Sequence, residues 1–194
     1  MKTQAQERKA IERTWTLDAA HTTVGFAARH MMFTTVRGRF NDVSGQVVID
    51  PARPEAARIE VDIAAASIDT GVEQRDGHLR SPDFLDVEAH PRITFRSTKV
   101  EGGALRDGKS YKLIGDLTIR GVTHEVVLDA RYDGRGKDPW GGERMGFTAT
   151  GSIDRRDFGL TWNQVLEAGG VLVSNEVKIE IEVQVKEAAD RQAA

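Results

Sequence analysis

The 194-residue chain contains no cysteine. Disulfides, thiol nucleophiles, thiolate zinc sites and cysteine-held iron–sulfur clusters are therefore excluded. The redox compartment stays open, because a cysteine-free protein tolerates either environment. Charge of one sign is also lacking: 27 Lys and Arg stand against 30 Asp and Glu, a net charge of −3. Such a surface offers no bulk attraction for phosphate backbones, so no nucleic-acid partner is expected. No apolar run approaches the roughly 18–20 residues of a membrane helix, and no integral membrane span is expected. Residues 1–13 (MKTQAQERKAIER) have no apolar core of the kind a Sec-type signal peptide needs. A soluble cytoplasmic protein is the expectation. P-loop, dinucleotide and nucleophile-elbow motifs are missing as well.

What is present is period-two alternation. Glu176 to Val185 sets Val177, Ile179, Ile181, Val183 and Val185 on one face, with charged or amide residues between them. That is a half-buried strand with one wet face. Ile59, Val61 and Ile63 repeat the pattern, as do Ile93 with Phe95, and Tyr111, Leu113, Leu117 and Ile119. So do Val126, Leu128 and Ala130, then Met145, Phe147, Ala149 and Ile153. Val24, Phe26 and Ala28 share a face with His30, and Asn41-Asp42 joins two short runs. One helical interruption is expected between Thr70 and His90, with Ser81 as N-cap and Pro82 in the first turn. The segment Asp133 to Gly142 (DGRGKDPWGG) reads as a flexible connection.

Few helices are available to cover a sheet, so the apolar faces must cover one another. Long strands with hairpin-like connections favour an all-β antiparallel barrel of about eight strands, because closure removes exposed edges. Aromatics are only 6% of the chain, too few for the girdles of an outer-membrane barrel, so the apolar face belongs inside. An eight-stranded interior is either filled by side chains or holds one small ligand. Periodicity alone does not separate these two outcomes.

Polar candidates for chemistry are sparse. The five histidines, His21, His30, His78, His90 and His124, form no tight pair at zinc-site spacing, and no metal or cofactor is expected. Asp154 and Asp157 flank Arg155-Arg156, which reads as a solvated ion-pair turn. His30 and Arg37 are candidates to meet a ligand's polar head. An enzyme acting on an apolar substrate inside the barrel would draw on His30, Asp76 and His78, but no assembled nucleophile and base is evident.

Several segments carry a family resemblance. Trp15-Thr-Leu-Asp-Ala-Ala-His21, Val24-Gly-Phe26 and His30 open it, and Asp69-Thr70 with Arg75 through Asp86 (RDGHLRSPDFLD) form its most specific part. His90-Pro91-Arg-Ile93-Thr-Phe95 and Gly115 through Thr123 (GDLTIRGVT) continue it. The chain from Trp15 to Val185 resembles the YceI-like family. That resemblance implies a lipocalin-like antiparallel barrel with a long apolar cavity over residues 15–185, flanked by an N-terminal extension (1–14) and a frayed tail (186–194). It also implies non-catalytic binding of a polyisoprenoid or similar long-chain amphiphile, such as an isoprenoid quinone, for transport or storage, and a homodimer. Exported relatives carry a signal peptide that is not seen here. The expected ligand-contacting residues are Phe26, His30, Val61, Ile63, Phe95, Leu117, Ile119, Phe147, Ile181 and Val183, with Phe84, Leu85, Phe158 and Trp162 closing the mouth.

Overall fold

A computed structural model describes residues 12–50, 53–167 and 169–188. The alternating segments form β1 (Arg13–Leu17), β2 (Thr23–His30), β3 (Thr34–Phe40), β4 (Val43–Ile49), β5 (Arg58–Ala64) and β6 (Ile68–Asp69). After helix α1 (Glu73–Arg80) come β7 (Arg92–Glu101), β8 (Ser110–Ile119), β9 (Val122–Lys137), β10 (Glu143–Asp154) and β11 (Val173–Glu187). Every pairing between them is antiparallel.

Three of the barrel's staves are bent and so count as two strands each. β1 and β2 run in series along one edge of β11, with Leu17 opposite Val185 and Val24 opposite Ile181. β4 and β3 continue one another beside them, and β5 and β6 do so beyond. The other edge of β11 pairs with β10, Ala149 opposite Ile181. The result is a closed eight-stave meander in which spatial order follows chain order. The Asn41-Asp42 break falls between β3 and β4, where the sequence suggests it.

Closure dictates where the apolar residues go. One buried cluster gathers Val24, Ile63, Phe95, Leu117 and Ile119 with Phe84, Leu85, Phe158 and Leu160. A second, at the other end of the staves, gathers Trp15, Tyr111, Tyr132, Met145 and Val185. Both arise because alternate residues of each strand point to one side.

Two local expectations are corrected. The helix precedes Ser81 instead of following it. Asp76 anchors its start by accepting from the Thr70 N–H at 2.9 Å and the Thr70 hydroxyl at 2.5 Å. Arg80 fastens its end to the Ala66 and Ile68 carbonyls, both at 2.8 Å. Ser81 is extended (ψ 170°), as a residue before proline prefers, and its N–H donates to the His78 carbonyl. Its hydroxyl oxygen does accept from the Asp83 N–H at 3.3 Å, but the segment capped in this way makes only turns. These turns deliver Phe84 and Leu85 to the barrel interior.

The second correction concerns Asp133 to Gly142, which is an ordered hairpin: β9 runs to Lys137 and β10 begins at Glu143. Asp138 organises the turn. Its carboxylate accepts from the Trp140 and Gly142 N–H groups at 3.0 and 2.8 Å and from Arg144 at 2.7 Å. These interactions hold that carboxyl below its ordinary pKa, the Gly142 N–H foremost. Glycine content signalled a turn, but the aspartate that satisfies its donors decides that it is ordered. Of the segments expected to lie outside the barrel, residues 12–14 and 186–188 are described, and Arg13, Thr14, Lys186 and Glu187 take part in strand pairing. Residues 1–11 and 189–194 lie outside the described residues.

Candidate functional site

The inward faces of the staves enclose a cavity of about 330 Å³. This lies at the lower end of the size range of small-molecule pockets. Its wall is almost wholly aliphatic and aromatic, drawing on each stave of the barrel and on Leu79, Phe84 and Leu85. Along β11 the wall includes Val173, Val177, Ile179, Ile181, Val183 and Val185, so the apolar strip spans nearly the whole strand.

Eleven of the expected residues line it: Phe26, Val61, Ile63, Phe84, Leu85, Phe95, Leu117, Ile119, Phe147, Ile181 and Val183. Three are placed elsewhere. Phe158 is buried behind the wall, its ring edge-on to His124 with centroids 5.2 Å apart. Trp162 packs on His78 at 4.6 Å and on Phe84 at 5.3 Å, backing the residues that reach the lumen. His30 sits half-buried at the end of β2, opposite Thr34 and Val173, and is not part of the wall. Arg37 likewise turns outward, 3.9 Å from Glu180, because its parity in β3 opposes that of Gly38.

The hollow interior has a local cause that alternation does not reveal. Gly115 and Gly38 occupy inward positions where a side chain is missing, and aromatic rings from neighbouring strands lie over them. A Cβ on Gly115 would stand 2.5 Å from the Phe95 ring, and one on Gly38 would stand 2.4 Å from the Phe26 ring. Both rings thus fold flat against the sheet instead of projecting across the lumen, leaving open space between opposite walls. Glycine inside a strand signals such a close approach, but not which ring makes it.

Leu79, Phe40 and Leu105 line the cavity without having been expected to, and so does Arg155, whose surroundings were misread. Expected in a solvated turn, it is only 4% exposed. Asp154 and Arg156 do form the expected surface pair, at 2.5 Å, and that contact holds the Asp154 carboxyl down to about 2. Arg155 points the other way. Its Nε donates to the Ser174 carbonyl at 2.9 Å, and its Nη1 donates to the Leu160 and Trp162 carbonyls at 2.5 and 2.9 Å. Burial pushes its guanidinium pKa down from the ordinary arginine value. A signal did exist, because Arg155 continues the inward parity of Met145, Phe147, Ala149 and Ile153.

The other polar candidates are not assembled in the cavity. Asp76 is occupied by Thr70, and His78 Nε2 lies 2.9 Å from Asp83; neither they nor His30 line the wall. Among the described residues no group of three or more His, Asp or Glu is placed to hold a metal ion. Nor is any described helix long and apolar enough to cross a membrane.

Comparison with known proteins places this geometry among relatives. A family model described as the YceI-like domain matches residues 15–185. A UPF0312 protein of Pectobacterium carotovorum is 41% identical over 152 residues, covering 78% of this chain and 77% of that protein. The crystal structure of a Campylobacter jejuni YCEI protein superposes with a TM-score of 0.70 at 34% identity, covering 83% of this chain and 90% of the other. A polyisoprenoid binding domain from Saccharophagus degradans has a TM-score of 0.67 over 90% of this chain and 98% of its own. At 15% identity the last likeness is one of fold.

Proposed function

Because the chain belongs to the YceI-like family, we propose that its barrel binds the chain of a polyisoprenoid or similar long amphiphilic lipid, as a carrier or store without chemical turnover. One observation carries this reading: a continuous apolar wall around an unfilled lumen. The wall from Val177 to Val185 covers eight residue steps, roughly 27 Å of strand at ~3.4 Å per residue. With staves tilted by about 40° that leaves roughly 20 Å along the barrel axis. The cavity therefore suits a long thin chain better than a compact ligand.

Desolvation supplies the affinity. Each buried methylene-sized group contributes about 0.8 kcal/mol, so a five-carbon isoprene unit contributes roughly 4 kcal/mol before ordering costs. Such a wall limits the length and width of the chain but discriminates little among hydrocarbon tails. The Saccharophagus degradans protein, a polyisoprenoid binding domain by name, shares this fold and supports the choice of ligand. An isoprenoid quinone is one ligand of the required shape.

Gentle purification from the native host, organic extraction and mass spectrometry test the reading. A long-chain lipid recovered near one per protein is the expected result. Repeated recovery of lipid-free protein that also takes up no added isoprenoid would overturn it.

A further inference from the structure

Eight large apolar side chains are exposed among the described residues, and half of them sit together at one end of the barrel. Met31, Met32 and Phe33 form the turn between β2 and β3, and Val165 stands on the neighbouring turn between β10 and β11. The two turns are joined. The Met31 N–H donates to the Leu172 carbonyl at 2.8 Å, and Val165 pairs with Val171 across the second turn. Phe33 is 79% exposed and Val165 84%. A single exposed apolar residue needs no explanation, but a cluster of them does.

The backbone of the first turn is unusual in two ways. Met31 and Met32 both hold left-handed φ, 49° and 62°, positions that glycine fills at less cost. The chain thus keeps two long apolar side chains where stability favours none, and strain of this kind gathers at functional sites. The turn also satisfies its own polar groups. The Phe33 N–H donates to the His30 carbonyl at 3.1 Å, and the Met32 carbonyl accepts from Arg29 Nη2 at 2.9 Å. Backbone paired in this way can leave water without stranding those groups, as entry into an apolar medium requires.

Charge indicates which medium. Arg29 meets only neutral acceptors, the Thr35 hydroxyl at 3.2 Å and the Met32 carbonyl, so no described carboxylate neutralises it. Arg37 shares its outer face and is held loosely, with Glu180 3.9 Å away. Glu167 is the one acid among the described residues of the two turns. Apolar tips backed by arginines suit a bilayer boundary, where the tips enter the acyl region and the guanidiniums meet lipid phosphate. Patch and cavity also share one end of the barrel: Val173 follows Leu172, pairs with His30 and lines the lumen together with Ala28.

Resting on the lipid-binding reading above, we propose that these two turns dock on the surface of a bilayer that carries anionic lipid, from which the bound chain is drawn or to which it is returned.

Flotation of the full-length protein with vesicles tests the docking face. Phosphatidylcholine vesicles are set against vesicles in which about one-third of the lipid is phosphatidylglycerol. Wild-type protein is expected to float with the anionic vesicles, and less so as salt rises. Phe33→Ser should lower partitioning about tenfold or more, the scale of withdrawing one phenylalanine from an apolar phase. Arg37→Gln should lower it about fivefold on the anionic vesicles only. Trp140, 89% exposed on the β9–β10 turn at the opposite end of the barrel, supplies the control. Trp140→Ser should leave partitioning unchanged. All three positions lie on the surface, and thermal melts verify that the variants are folded.

Because the chain has no cysteine, Phe33→Cys accepts a single environment-sensitive dye. Its emission should shift to the blue on anionic vesicles, whereas the same dye on Trp140→Cys should not respond. Wild-type protein that floats with neither vesicle would overturn the proposal in favour of a protein partner, and so would Phe33→Ser that floats like wild type. Uptake of an added isoprenoid by protein that never floats would refute docking while leaving the lipid-binding reading intact. Flotation without any isoprenoid uptake would support docking and count against that reading instead.

Discussion

Replacing Gly115 by alanine tests whether seated aromatic rings keep the barrel hollow. The added Cβ would lie 2.5 Å from Phe95 Cζ, 2.7 Å from its Cε2 and 2.6 Å from the Arg96 carbonyl oxygen. The ring can rotate, but the carbonyl belongs to the paired strand β7 and cannot retreat without loosening the ladder. Overpacking of this kind costs about 1–3 kcal/mol. Part is offset, since alanine in place of a strand glycine returns roughly 0.5–1 kcal/mol. A net loss of about 1–2 kcal/mol follows, or a Tm lower by roughly 2–8 °C in a protein of this size. The ring displaced from Gly115 turns into the lumen, so uptake of long isoprenoid chains falls in the same variant. Gly77→Ala is the matched control: a Cβ added to this helical glycine would meet nothing within 4 Å, and the change should stabilise by roughly 0.5–1 kcal/mol. Scanning calorimetry and a chain-length binding series measure both effects. Gly115→Ala protein that is as stable as wild type, with unchanged uptake, would refute the account of the cavity's origin.

Phe147→Asp should lower chain affinity at least tenfold, because a carboxylate would enter the apolar wall, whereas Lys178→Ala on the exposed face of β11 should leave affinity unchanged; circular dichroism verifies that both are folded. Met31 and Met32 hold φ of 49° and 62° in the turn between β2 and β3, a conformation that disfavours side chains by about 1–2 kcal/mol each. Met32 is 55% exposed and packs little, so Met32→Gly should raise the urea midpoint. Asp154, held down to about 2 by Arg156, stabilises the fold above the ordinary aspartate pKa and loses that contribution as pH falls from about 4 toward 2. Asp154→Asn should therefore lower stability at neutral pH and flatten the acid limb of the pH–stability curve between those values.

Much of the cavity wall was legible in the chain. Inward parity at Phe147, Ile181 and Val183 follows from period-two alternation, and each of these residues lines the cavity. Where reading failed, the deciding contact was tertiary or lay off the strands. Ser81-Pro82 carries the residue types of a helix start, yet Ser81 closes the helix that Asp76 and Arg80 anchor through Thr70, Ala66 and Ile68. Phe158 and Trp162 were expected to close the mouth, but they pack behind residues that do reach the lumen.

Arg155 shows the division most sharply. Its parity placed it inward, while its neighbours Asp154, Arg156 and Asp157 suggested water. Only the assembled structure brings the Ser174, Leu160 and Trp162 carbonyls to it, making burial of the side chain feasible.

The sequence by itself determined the class of fold, the faces of its strands and the membership of the chain in its family, because alternation and motif spacing are local properties. Tertiary structure alone decided that the barrel is hollow and that one arginine is buried against its wall. Empty volume depends on which ring crosses to which glycine in the next strand, and a buried charge depends on carbonyls that the chain after β10 folds back to it. Both are properties of register and closure, which no single strand contains.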